Sequence, residues 1–429
     1  MVLSFPDEVQ AALRDHQSGR LVGLATYLDR TAELDVDADG SVSFSASGEI
    51  QSDASIIVKG FGNSLVPKSK DAMLAPYGQE VTLFRELVLR DSVWRIPLGV
   101  FRITANSNAF EDIRLIGPPQ ALEIANALAS GGDSLWQVPV AWVENPAGSD
   151  LYDVPGTYVE DPPGSGLYTF TTAQQTYSAV QSVVLGWSVD VELKDRFRML
   201  QKAKLVDPKS PVPGNTMYQE IRRLALMPVQ ANPSIPDVTV PSDLVYEQGR
   251  LGAVHALAEL AGAVPTLTRQ GVLTLRLLDA WAEPSLSPVF DIEGTIDWQD
   301  GQSDEFVNYV RAASTDDQFV GFAYIADDSD PLSVNRAGPS TFEHKSPAYT
   351  TQSEAELGAA TTLRRLRGRR SREVTVKCTP EALLLELGDV GWMRDPVQNR
   401  AVLGEVSGLD FPNDVTEPIT VKLIVAEEL

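Results

Sequence analysis

Short apolar runs broken by charge recur along the chain, and the densest of them is 78–103, GQEVTLFRELVLRDSVWRIPLGVFRI. Val81, Leu83, Leu87, Val93, Ile96, Leu98, Val100 and Ile103 carry its apolar positions. Alternation across Val100-Phe101-Arg102-Ile103-Thr104 predicts a strand half buried on a sheet, and Arg90-Asp91-Ser92 predicts the turn of a hairpin. Upstream, 7–16 sets Val9, Ala12 and Leu13 at helical spacing, and 21–28, 41–45 and 54–58 read as strands. Residues 35–40 read as a loop, and Gly60-Phe61-Gly62-Asn63 breaks the pattern before 112–116 resumes it as a further strand.

Downstream the pattern changes twice. Residues 118–177 hold a helical stretch at 121–129 and then Trp, Tyr, Pro and Gly with turn signals every few positions. The echo of Gly148-Ser149-Asp150-Leu151-Tyr152 in Gly164-Ser165-Gly166-Leu167-Tyr168 suggests a small β-hairpin unit. Strand patterning returns at 183–195, followed by a helix at 218–226 and a Pro-rich linker at 228–241. In 250–263 Leu251, Val254, Leu257, Ala258 and Ala261 share one stripe, which predicts a helix ending near Gly262. Two strands at 264–268 and 272–277 then flank a turn at Arg269-Gln270-Gly271. Two β-rich blocks therefore flank a mixed one.

A chain of 429 residues has room for two to four domains with sizeable cores. Its formal charge of −24 argues against sequence-independent binding of duplex DNA by the surface as a whole, since phosphate contact needs cationic surface. A single cysteine, Cys378, excludes an intrachain disulfide and a cysteine-based metal cluster, and its setting VTVKCTP predicts a small packed hydrophobe. The N-terminus lacks the long apolar core of a signal peptide, and no run approaches a membrane span, so the chain is expected to fold in a cytoplasm.

Several motifs together carry a family resemblance. The run PYGQEVTLFREL followed by IPLGVFRIT resembles the opening domain of minor tail proteins from long-tailed phages of actinobacteria, which are similar to the central hub of phage baseplates. Later, EFVNYVRAAS resembles the hub strand with an Asn-x-Val pair, and IADDSDPLSV resembles the Asp-x-Asp-Pro-x-Ser-Val segment. SPAYTTQSEAELGAATTLRRLRG resembles the Thr-Thr leader into a helix, and LLLELGDVGWMRD the Leu-x-x-Gly-Asp-Val strand. The resemblance covers most of the chain outside 118–178.

It implies a β-rich α+β chain in which two β-barrel-like domains flank a mixed α/β domain. The expected domains are a first barrel at 1–117, an inserted β-rich excursion at 118–178 and a return to the first barrel at 179–205. A mixed α/β domain at 206–289 and a second barrel at 290–429 complete the chain. The implied role is a structural virion protein and not an enzyme: a homotrimeric hub at the distal end of the tail, assembled in the host cytoplasm. Its implied partners are the distal tail protein, the tape measure protein and central-fibre or other minor tail proteins, with DNA passing through a central channel. A hexameric distal tail ring is a related role. The rival class is a carbohydrate-binding or cell-wall polysaccharide-degrading protein, supported by 7 Trp, the Tyr-rich insert and the surplus of carboxylates.

Candidate chemistry is sparse. Asp35, Asp37 and Asp39 match the first half of a calcium loop, but the twelfth position is Ala46 where a bidentate Glu belongs, and an Asp-Gly hairpin turn explains the same letters. Gly60 to Leu65 opens like a dinucleotide fingerprint without its ending, and Asp327-Asp328-Ser329-Asp330 reads as an acidic turn before Pro331. No cofactor is implied. The one dense basic run is LRRLRGRRSR, with Arg364, Arg365, Arg367, Arg369, Arg370 and Arg372. It is either the solvated end of a helix or a positive band facing an acidic partner or DNA in a channel.

Overall fold

The computed structural model describes residues 3, 5–15, 19–116, 158–160, 168–170, 181–246, 249–277, 288–301, 306–346, 349–371 and 373–428. Helix α1 (Asp7–Arg14) has Asp7 and Glu8 in its first turn and Arg14 in its last, as the helix dipole favours, and it buries Val9, Ala12 and Leu13. Strands β1 (Arg20–Tyr27), β2 (Arg30–Ser45), β3 (Ser52–Gly60), β4 (Glu80–Val88) and β5 (Val93–Ile116) follow. The short β6 (Tyr158–Glu160) and β7 (Tyr168–Phe170) pair with each other, and β8 (Gln181–Asp195) returns to the main sheet. Pairing runs β1–β4–β5–β8–β3–β2, and β1 pairs again with β2, so these six strands return on themselves. Alternation drives the arrangement: Val81, Leu83 and Leu87 of β4 point inward with Ile56, Val58, Ile96, Leu98, Phe101, Val189 and Val191.

The mixed block packs α2 (Phe197–Lys202), α3 (Met217–Leu224) and α4 (Arg250–Glu259) with the hairpin of β9 (Ala263–Leu267) and β10 (Leu273–Leu277). Its core joins Phe197, Leu200, Met217, Ile221, Leu257 and Leu275, all buried. Gly271 takes φ +71° in the hairpin turn, a conformation that an L side chain resists. Inside the block Glu220 is fully buried and fully satisfied. It accepts from Val212 N, Asn215 Nδ2, Tyr246 Oη and Arg223. Burial pushes its carboxyl up, but these hydrogen bonds win and hold it below the ordinary value.

The second β-rich block comprises β11 (Phe290–Ile292), β12 (Thr295–Gly301), β16 (Glu373–Cys378), β17 (Val390–Asp395), β18 (Arg400–Pro412) and β19 (Ile419–Glu428). Its order is β12–β16–β19–β18–β17–β11, and β18 also pairs with β2 through Gly408–Pro412 against Ser41–Ser45. The two blocks therefore share one 12-stranded sheet. Between β12 and β16 the chain builds a separate sheet, β13 (Tyr309–Ala313), β14 (Val320–Tyr324) and β15 (Thr341–Lys345), in the order β14–β13–β15. A helical turn, α5 (Val334–Ala337), precedes β15, and the long α6 (Gln352–Ser371) lies on one face of this sheet through Ala355, Ala359 and Leu366. Residues 290–429 thus hold a layer of helix on sheet besides strands of the main sheet.

The chain divides into two compact units: one of 1–58, 67–107 and 190–429, and one of 59–66 and 108–189. In the smaller unit the ring of Trp187, 7 % exposed, lies where a Cβ on Gly60 would fall, 2.5 Å away. Ser64 Oγ donates to Glu111 there. The expected helix at 121–129 and the Gly148 member of the echo lie outside the described residues.

Two sequence expectations need correction. Residues 35–40 form neither a loop nor a hairpin turn; they are the middle of β2, and the turn sits earlier, at Leu28 with φ 55°. Ladders on both flanks hold this strand straight, Val22↔Asp35 at one end and Pro412↔Ser41 at the other. The carbonyl of Asp39 accepts from Asn413 Nδ2 and that of Gly40 from Asn413 N, which ties this stretch of β2 to the end of β18. The strand expected at 112–116 is the far end of β5, because the polar stretch before it stays extended instead of turning.

Candidate functional site

Arg364, Arg365, Arg367, Arg369 and Arg370 all fall in the C-terminal half of α6. That helix starts where it does because Thr351 and Glu354 form a reciprocal cap. Glu354 Oε2 accepts from Thr351 N at 2.8 Å, and Thr351 Oγ1 accepts from Glu354 N at 3.3 Å. Leu366 points into the protein and Arg364 outward. The side chains of Arg365, Arg367, Arg369 and Arg370, and the whole of Arg372, lie outside the described residues. Beside Leu366 and Phe342 a groove of about 810 Å³ opens against the strands, floored by Ser43, Ser45, Asp410 and Lys422. Of this stretch of α6, Leu366 is the residue that lines the groove.

The acidic turn at Asp327 to Asp330 makes hydrogen bonds within its own loop. Asp327 Oδ1 accepts from Ser329 N and Oγ, Asp330 Oδ1 from Leu332 N, and Asp328 Oδ1 from Asn335 Nδ2. Among the described residues no ion pair joins Arg364 to this turn. Asp35, Asp37 and Asp39 lie along β2, and among the described residues no group of three His, Cys, Asp or Glu is gathered to hold a metal. Cys378 is buried, and burial pushes its thiol up to about 12. His255 is half-buried on α4, and His344 Nε2 lies 3.3 Å from Glu259.

The arginines that position the blocks are others, single and buried. Arg85 of β4 is 2 % exposed and donates through Nη2 to the Pro412 carbonyl at 2.6 Å, tying the first block to the end of β18. Arg269, in the β9–β10 turn, is 3 % exposed and lies over the paired rings of Phe44 and Phe411, 5.7 and 5.0 Å from their centroids. It donates to the Pro97 carbonyl of β5 and to the Leu385 carbonyl, so one side chain joins all three blocks. Burial lowers both guanidinium groups to about 10, still charged at neutral pH. Arg196 clamps Glu80 with both Nε and Nη2 and also donates to the Gly271 carbonyl, while Arg276 pairs with Glu405 at 3.0 Å.

Phe44, Arg269 and Arg276 line a pocket of about 200 Å³ that also meets Gln51, Asp195 and Glu386. Asp195 accepts from Gln51 N, Ser52 N and Phe197 N, yet burial outweighs these bonds and raises its carboxyl to about 6. Sequence reasoning looked for function in a dense basic run and passed over these positions. One signal was available: Arg85 stands in phase with Val81, Leu83 and Leu87, which puts it on the buried face of β4.

The arrangement is a scaffold of packed β-rich blocks, and its fold is one seen in tail proteins. The tail protein from Neisseria meningitidis MC58 is similar to it over 94 % of this chain and 96 % of that one, at 9 % identity and a TM-score of 0.53. The 43 kDa tail protein of prophage MuSo2 from Shewanella oneidensis is similar over 94 % and 98 %, at 9 % identity and a TM-score of 0.50. At such identity the likeness is one of fold. No protein-family model and no curated protein matches the sequence.

Proposed function

We propose that this chain is a structural protein of a phage tail: a homotrimeric hub at the tail tip that closes the tube and carries receptor-binding or central-fibre proteins. The observation that carries this reading is likeness of fold over the whole chain, 94 % of it, to the Neisseria tail protein. Strand pairing fits the reading. A circuit of six strands is joined at β2–β18 to a second, open run of six, and this pair of β-rich blocks in one chain supports the reading. Three copies would supply six barrels around a channel, matching a hexameric tube above them. A closed ring needs heterologous contacts that rotate back on themselves. The distal tail protein, the tape measure protein and central-fibre proteins are the partners this role requires, and no catalysis is part of it. The motif resemblance to minor tail proteins of actinobacterial phages adds the host group.

The test is the mass and symmetry of the purified protein. Light scattering should give three times the 46.6 kDa chain mass, and electron micrographs should show rings with three-fold symmetry. A monomer at every concentration, or release of reducing ends from host cell-wall polymer, would overturn the reading.

A further inference from the structure

The sheet β14–β13–β15 has two unlike faces. One lies against α6, where a Cβ on Gly321 would meet the Ala355 backbone at 2.3 Å. The other carries Tyr309, Arg311, Phe322, Tyr324, Glu343 and Lys345. Phe322 and Tyr324 stand 53 % and 55 % exposed on it, an unusual exposure for two large rings side by side on a sheet.

We propose that this aromatic face is the centre of a contact between copies of the chain, a proposal that rests on the ring reading above. Charge is the first argument. The chain carries −24, so two copies repel wherever their acidic surfaces approach. On this face the charges cancel: Arg311 pairs with Asp317 at 2.8 Å and with Glu343, and Lys345 pairs with Asp317 at 2.6 Å. Two basic and two acidic groups close on one another, leaving a neutral aromatic patch where a second copy meets no net charge. A polyanion or a strongly cationic partner finds no surplus charge there to bind.

Ring geometry is the second argument. Tyr309 and Tyr324 are register partners whose planes lie within 12° at a centroid distance of 5.7 Å, so each uses a face on the other. Phe322 leans on the same Tyr309 at 6.1 Å and 51°. Sugars stack on free ring faces, and here Tyr309 and Tyr324 each give one face to the other. Rings with phenolic hydroxyls suit a protein surface, where Tyr is enriched at the energetic centre. Three strands of five residues span only about 17 by 14 Å, so the face forms the middle of a contact whose rim lies on surrounding surface.

Phe322→Glu and Tyr324→Glu place charge on this face with no change to the core, and Val397→Glu, at a turn residue 93 % exposed, controls for added charge alone. The expected result is self-association weaker by about 30-fold or more for the two face variants, with the control unchanged and all three folded by circular dichroism. In parallel, Phe322→Cys labelled with a photo-crosslinker should join to a second copy, Cys378 being buried and slow to compete. Wild-type rings whose mass survives both charges, with no cross-link to another copy, would overturn the surface and leave the ring reading standing. Wild type that is a monomer throughout would overturn both. Loss of wild-type retention on host cell-wall polysaccharide in the face variants, with mass unchanged, would reassign the face to glycan.

Discussion

Arg269 shows how much one side chain can hold. Replacing it by Ala removes two charge-assisted hydrogen bonds and two ring contacts, and leaves the Pro97 and Leu385 carbonyls without that donor. The expected cost is about 3–5 kcal/mol, read as a lower urea midpoint with an unchanged slope. Lys in its place should recover less than half, because an ammonium lacks the fork that reaches two carbonyls. A midpoint equal to wild type would show that the turn seats without it. Asp195 gives a pH test. Its folded value, about 6, lies above its ordinary 3.8, so the folded state holds the proton more tightly. The burial cost is therefore absent below about pH 4, grows between 4 and 6, and is complete above. Asp195→Asn lacks this titration but presents an amide to donors that want oxygen. It should be less stable than wild type, by a margin that narrows as pH rises from 4.5 to 7; a margin constant with pH would count against the raised value. Cys378, its thiol near 12, should react with thiol reagents at least about 100-fold more slowly folded than in urea.

Among elements, α6 and its sheet offer the clearest tests. Gly321→Val drives a side chain into the helix backbone at Ala355, so α6 should lift from β14. Protease cleavage within Gln352–Ser371 should then rise steeply while β16–β19 stay protected. Protection equal to wild type would mean that the helix shifts without loosening. Glu354→Ala removes one half of the α6 cap and should cost about 1 kcal/mol. Elements were the most legible level of this protein. The β4–β5 hairpin, α3, α4 and the β9–β10 turn at Gly271 stand where periodicity and turn residues placed them, because each is decided by neighbours within a dozen positions. Residues 35–40 were misread for the same reason: Asp and Gly favour turns locally, and it is pairing of β2 with β1, β3 and β18 that keeps the stretch in the sheet.

At the scale of the whole molecule, the proposed ring would have to bring strongly acidic chains together. The arginines of α6 are the dense cationic stretch in the sequence. Changing Arg365, Arg367 and Arg369 together to Ser should weaken ring formation or docking to neighbouring tail proteins while the monomer stays folded. Salt should weaken wild-type association in the same direction, less so where pairs are buried. Light scattering across a salt series, with reconstitution alongside, reads both; wild-type behaviour in the triple variant would reduce the run to a solvated helix end.

The sequence by itself determined which stretches alternate and which turn, the order of β-rich, mixed and β-rich blocks, and a surface too acidic to bind nucleic acid broadly. These follow from local periodicity and from counts of charge. Only the tertiary structure decided that β2 and β18 join two blocks in one sheet, that Arg85 and Arg269 are interior ties, and that Tyr309, Phe322 and Tyr324 share an open face. Each of these depends on residues distant in the chain meeting in space. The Arg269 contact is the plainest case: its carbonyl partners stand at 97 and 385, and no window along the chain contains both.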